Sequence, residues 1–213
     1  VSRPTHRKPV KTGAIFSEKN ESVSMQIIND TSAMIPEPCV ATIGFFDGVH
    51  MGHRYLIQQV KEIAAAKGLR SALVTFPVHP RKVMNAAYHP ELLTTPEEKT
   101  NLLAGTGVDY CLMLDFTPDI SRLTAKEFMT QILKERFQVK YLVIGYDHRF
   151  GHNRSEGFDD YVRYGQAIGI EVIRAQAYTD DIQIDTIQSA PVSSSLILSL
   201  IHISEPTRHA QIS

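Results

Sequence analysis

Tryptophan is absent from this chain of 213 residues, and cysteine occurs only at Cys39 and Cys111. Both cysteines stand in apolar runs, CVATIGFF and DYCLMLDF, rather than at CxxC or other metal-ligand spacing. Buried reduced thiols are therefore expected, and the cysteines indicate neither a disulfide framework nor a metal site. An excess of one charge is missing too: 22 Lys and Arg against 23 Asp and Glu leave a net charge of -1. That balance supplies no electrostatic footprint for nucleic acid or an anionic membrane, so any phosphate must be held by a local site. Apolar runs are strand-sized, short of the roughly 20 residues that a membrane-spanning helix takes, and no secretory pattern opens the chain. Internal repeats and low-complexity linkers are also lacking. What remains, at 43% apolar residues, is the composition of a globular domain with one sizeable core, cytoplasmic by default.

The two ends read differently from the middle. Residues 1–24 have no sustained period and precede Met25, which reads as the true start, with a disordered native tail as the alternative. Residues 198–208 (LSLIHISEPTR) resemble the in-frame translation of a common sequencing-library adapter. On that reading the native domain covers residues 25–197, and His202 and His209 belong to no site.

Between those ends, short β-rich runs alternate with segments of helical period, the signature of βαβ units and a parallel sheet. Five strands are predicted, at residues 40–45, 71–76, 110–114, 141–145 and 171–175, each mostly apolar as strands covered on both faces require. In residues 53–68 Leu56, Val60, Ile63 and Ala64 share one helix face, and Gly68 supplies a stop. A second helix, 96–103, opens with proline and two glutamates, which suit a helix N-terminus. A third starts at Thr124, whose spacing to Glu127 makes a capping box, and buries Phe128, Ile132 and Phe137. A fourth is expected near 157–168. The fold class is a single doubly wound, Rossmann-like α/β domain, with ligands beyond the carboxyl ends of the strands.

At the end of the first predicted strand the chain reads Gly44-Phe45-Phe46-Asp47-Gly48-Val49-His50-Met51-Gly52-His53, and the first helix starts at once. A helix N-terminus has unpaired N–H groups and partial positive charge, so it attracts phosphate. Gly48 and Gly52 are expected to let the backbone turn tightly and approach a ligand. His50 and His53, three residues apart, are expected to direct two imidazoles at one phosphoryl group, as fixed donors for charge that grows during transfer. The competing readings are structural histidines or half of a zinc site, for which His79 is the one plausible further ligand; no metal site is predicted. Asp47 either makes an Asx turn or orients the histidine loop. Thr94 and Thr95 read first as helix caps.

This segment resembles the G-x-F-D-G-x-H-x-G-H signature of the bacterial riboflavin kinase/FAD synthetase family, in its N-terminal FMN adenylyltransferase domain. H-x-G-H alone is shared by a wider group that includes pantetheine-phosphate and nicotinamide-mononucleotide transferases; the flanking F-D-G narrows it. Thr75-Phe76-Pro77-Val78-His79-Pro80 is similar to the family's T-F-x-x-H-P segment. Leu93-Thr94-Thr95, Glu98-Lys99 and Gly107-Val108-Asp109 resemble its L-T-T, E-K and G-V-D run. Gly145-Tyr146-Asp147-His148-Arg149-Phe150-Gly151 with Arg154 is similar to its G-x-D/N-F-x-F-G-x-x-R loop, with His148 in place of an aromatic residue. Val192-Ser193-Ser194-Ser195-Leu196-Ile197 resembles S-S-T-x-I-R, with Leu198 where the arginine belongs.

The resemblance implies AMP transfer from ATP, with Mg²⁺, to FMN as substrate, giving FAD and pyrophosphate. It implies that His50 and His53 are catalytic. It further implies that Gly44, Phe45, Phe46, Asp47, Gly48, Gly52, Asp147 and Ser193, Ser194 and Ser195 hold ATP. His79, Pro80, Arg149, Phe150 and Arg154 are implied to meet the flavin. Read without the family, Arg149 and Arg154 are solvated loop charges, Phe150 is a core residue and Asp147 a loop cap. The alternatives to FMN adenylylation are another H-x-G-H nucleotidyltransferase and a non-catalytic nucleotide or flavin binder. No nucleic acid or membrane partner is expected.

Overall fold

A computed structural model describes residues 24–29, 35, 37–85, 87, 89–145 and 148–178. Six strands form one parallel sheet: β1 (Gln26–Ile28), β2 (Cys39–Ile43), β3 (Arg70–Thr75), β4 (Tyr110–Met113), β5 (Val139–Ile144) and β6 (Glu171–Arg174). Their spatial order is β1-β4-β3-β2-β5-β6. The chain thus steps from β2 out through β3 to β4, then returns to pair β5 with the other edge of β2. This reversal beside β2 is the switch point of a doubly wound sheet, where a ligand crevice forms.

Helices α1 (Met51–Lys67), α2 (Pro80–Met84), α3 (Pro96–Ala104), α4 (Pro118–Arg122), α5 (Ala125–Glu127) and α6 (Phe158–Ile168) flank the sheet. Alternate strand residues point to opposite faces. Ala41, Ile43, Ala72, Val74 and Leu112 pack with Met129 and Leu133 beyond α5 and with Tyr161 of α6. Leu73 and Cys111 pack on the other face with Ile57 of α1 and Leu103 of α3, while Val40 and Val143 meet Val60 and Ala64. Both cysteines are buried and unbridged, and burial pushes Cys39 up to about 12 and Cys111 to about 11.

The five predicted strands are all present, displaced by one or two residues at their ends. The first stops at Ile43, so Gly44 and Phe45 belong to the loop rather than the strand. A sixth strand, β1, is an addition: its three residues are too few to show a period, and only pairing with β4 defines it. The edge strand β6 is only partly covered, unlike the two-faced burial expected for every predicted strand. The capping box at Thr124 forms, but residues Phe128–Lys134 continue as π-helical turns, and Phe137 is buried just beyond them. Helices α2 and α4, five residues each, were not expected; each opens with proline after a capping side chain, His79 or Thr117.

Gly165 marks where α6 lies closest to the chain entering β6. A Cβ there stands 2.4 Å from the Ile170 carbonyl oxygen and 2.7 Å from Val172 Cγ2. Because a backbone atom cannot step aside as a side-chain tip can, Gly165→Ala is expected to lower stability by about 1–3 kcal/mol, measured by urea unfolding.

Candidate active site

The loop between β2 and α1 is bent into a conformation that side chains normally avoid. Phe46 (φ 55°), Gly48 (φ 68°) and Val49 (φ 39°) all lie in the left-handed region. Two of the three carry a Cβ, so the bend costs energy that the surroundings must offset. The main offset is Asp47, 6% exposed, whose carboxylate accepts from the Leu93 N–H (2.9 Å), the Thr94 N–H (3.1 Å) and the Thr94 hydroxyl (3.0 Å). The Gly48 N–H in turn donates to Thr94 Oγ1 at 3.1 Å. Thr94 is therefore the clasp of this loop and not a helix cap; the cap of α3 is Thr95, in a capping box with Glu98.

Gly48 also proves to serve packing. A Cβ on it would stand 2.8 Å from Leu93 Cδ1, and its φ of 68° is the tight turn expected of it; the residue is not among those lining the cavity described below. Gly44 plays a similar part under the Phe46 ring, 3.0 Å from where its Cβ would lie. Asp47 orients the loop, as one of the two readings of the sequence had it, and does so through long-range bonds to Leu93 and Thr94.

The loop delivers His50 to the N-cap of α1. Its Nδ1 accepts from the His53 N–H at 3.4 Å, which puts the proton of the neutral ring on Nε2. The His50 and His53 rings stack with centroids 3.7 Å apart, and the Phe46 ring meets His53 edge-on at 5.3 Å. Nδ1 of His53 is buried with no hydrogen-bond partner among the described residues. Burial, then His50 and His148, hold the His53 pKa down at about 3. Burial also lowers His50, opposed by the Asp47 carboxylate. Both imidazoles are thus neutral donors at neutral pH, and two rings so close cannot both ionise.

Both rings line a cavity of about 1070 Å³ at the carboxyl ends of the strands. Gly44, Phe45, Phe46, Asp47 and Gly52 share its wall with the two histidines. His79 and Pro80 line it from the turn after β3, and Arg149, Phe150 and Arg154 from the loop after β5. Sequence reasoning therefore placed most of its candidates around one space. Asp147 and Ser193, Ser194 and Ser195 lie outside the described residues, as does Tyr146.

His79 caps α2, its Nδ1 accepting from the Arg81 N–H at 3.2 Å, and sits edge-on to Phe45 at 4.8 Å. Phe150 is both core and cavity wall. Its ring stacks on Tyr161 at 4.3 Å, and the Tyr161 hydroxyl accepts from the Phe150 N–H (3.0 Å) and donates to its carbonyl (3.1 Å). Arg149 and Arg154 are exposed and form no ion pair among the described residues; Arg154 Nε donates to the Arg149 carbonyl. Sequence reasoning gave no site role to Tyr161, His148, or Lys99, which lies beneath Phe45. A signal for Lys99 existed: it stands one turn before Leu103 on the inner stripe of α3, where an apolar residue belongs.

A parallel α/β sheet whose switch crevice opens onto a helix N-terminus and paired neutral imidazoles belongs to the doubly wound, Rossmann-like class. Within that class the chain belongs to the FAD synthetase family, whose model matches residues 32–191. It is 35% identical over 153 residues to the bifunctional riboflavin kinase/FMN adenylyltransferase of Escherichia coli K12, covering 72% of this chain and 49% of the relative. The protein of that name from Listeria monocytogenes is 36% identical over 126 residues, covering 59% of this chain and 40% of the relative. The chain thus spans about half the length of the curated relatives it matches. A crystal structure described as a macrolide-efflux protein from Streptococcus pneumoniae superposes with a TM-score of 0.69 at 27% identity, covering 82% of this chain and 55% of that one. Transport is that protein's label alone; among the residues described here no helix is long and apolar enough to cross a membrane.

Two outcomes follow for the loop. Asp47→Asn, which sets an amide among N–H donors, is expected to cost about 2 kcal/mol or more of stability in chemical denaturation. For His53 the folded pKa is depressed below the unfolded value of about 6.5. The unfolded chain therefore binds the extra proton between that value and about 3, and stability falls as pH drops through this window. Melting temperatures measured against pH should show a weaker acid-side decline in His53→Gln than in the parent protein.

Proposed function

We propose that this chain adenylylates FMN: an FMN phosphate oxygen attacks the α-phosphorus of ATP in line, the bond to the β-phosphate bridge breaks, and FAD and pyrophosphate leave. The observation that carries this reading is the stacked His50–His53 pair at the start of α1, on the wall of a cavity of about 1070 Å³. Neutral imidazoles suit the task. Each can donate one N–H to non-bridging oxygens, and those bonds strengthen as negative charge grows on the oxygens. The amides of Met51 and Gly52, in the first turn of α1, have no intrahelical acceptor and add to the same field.

Among the described residues no cluster of three His, Cys, Asp or Glu is arranged to hold a metal, and the Asp47 carboxylate is committed to Leu93 and Thr94. Mg²⁺ is assigned to the ATP phosphates, where it would spread their charge. Pro80, Arg149, Phe150 and Arg154 are assigned to the flavin end with His79; Asp147, Ser193, Ser194 and Ser195 are assigned to ATP on the family resemblance. Riboflavin kinase activity, part of the relatives' name, is assigned to the intact gene product.

The test is direct. Incubated with FMN and Mg·ATP, the protein should form FAD and pyrophosphate, resolved by chromatography. His53→Ala should form FAD about a hundredfold more slowly or worse, the scale of losing a fixed oxyanion donor. Equal FAD formation by the variant removes the catalytic assignment.

A further inference from the structure

Lys99 is 2% exposed, yet it makes no ion pair among the described residues. Its ammonium donates to the Phe76 carbonyl at 2.8 Å and lies 3.9 Å from the centre of the Phe45 ring. Both contacts favour the charged form, by a carbonyl dipole and a ring face. Burial lowers its pKa, opposed by Cys111 and by the Asp47 carboxylate. A buried ammonium with one carbonyl and one ring for direct partners is costly, and a neutral donor such as an amide satisfies the same carbonyl without burying a charge. The Phe76 carbonyl calls for a donor and not for a full charge.

The cavity does. Phe45 and Phe76 line it, and Lys99 stands directly behind both. Water that screens an exposed lysine is excluded here, so the charge acts through a ring-thick, weakly polarisable wall. We propose that Lys99 is a fixed positive charge behind the cavity wall, held there to attract the phosphate groups of the ligands that the cavity takes. The inference rests on the functional reading above, and assigns to the site a cation that touches no ligand. It differs from Arg149 and Arg154, whose exposed side chains are screened by solvent. At a distance on the order of 8 Å and an effective dielectric constant of about 20, one unit charge changes phosphate affinity by roughly tenfold or more.

The experiment compares ligands that differ in phosphate. FMN against riboflavin and ATP against adenosine are titrated into the parent protein, Lys99→Met and Lys99→Gln. The glutamine variant retains a donor for the Phe76 carbonyl and also covers the case in which Lys99→Met fails to fold, judged by thermal melting. The expected result is about tenfold weaker binding of FMN, ATP or both in the neutral variants, with the unphosphorylated partner of each pair unchanged within about twofold. Which pair responds tells which phosphate lies nearer. Equal weakening of phosphorylated and unphosphorylated ligands makes Lys99 a packing residue and overturns the proposal, as does no change in either pair. A parent protein that binds neither FMN nor ATP sinks the functional reading and this inference together. Binding of both by the parent, undiminished in the variants, overturns this inference alone.

Discussion

The carboxylate of Asp47 is the constraint on which the site depends. It gathers the amides of Leu93 and Thr94 and the Thr94 hydroxyl, and so ties the start of α1 to a segment that precedes α3. Without this clasp, the left-handed Phe46 and Val49 have no reason to hold their conformations, and a relaxed loop sets His50 off the N-cap. The paired imidazoles are thus a tertiary product, made by residues 46 and 47 positions apart, although their spacing in sequence looks local.

That distinction explains what could be read beforehand. The alternation of apolar runs with helical stripes made the parallel sheet legible, because a buried strand and an amphipathic helix each write a period into the chain. His50, Gly52 and His53 were legible as a strand-turn-helix junction. Gly48 was legible as a tight-turn position, as its φ of 68° bears out, but its second reason, the closeness of Leu93, was not, since a sequence cannot say which distant side chain a missing Cβ makes room for. β1, α2 and α4 were invisible because three or five residues carry no period, and their formation rests on a neighbouring strand or on a single capping side chain. The π-helical turns after Glu127 were hidden likewise: the apolar stripe through Phe128 and Ile132 is compatible with either winding.

Electrostatics divides the cavity into an inner and an outer part. Neutral imidazoles occupy the interior, kept so by burial and, for His53, by His50 and His148, while the cations Arg149 and Arg154 stand at the exposed rim and Lys99 behind the wall. Such an arrangement avoids placing three or four like charges together in an empty pocket, which the folded state would resist. It leaves the positive potential to the backbone of α1 and to charges set one layer away.

The strand order has a consequence for how the protein comes into being. β2, β3 and β4 are made in succession and pair with one another, but the crevice beside β2 has no second bank until β5 is added on the opposite edge. During synthesis from the N-terminus, the histidine loop therefore emerges long before the pocket it belongs to. Ligand cannot act as a template for the early half of the chain, and any stabilisation from nucleotide arrives only after β5 has docked beside β2.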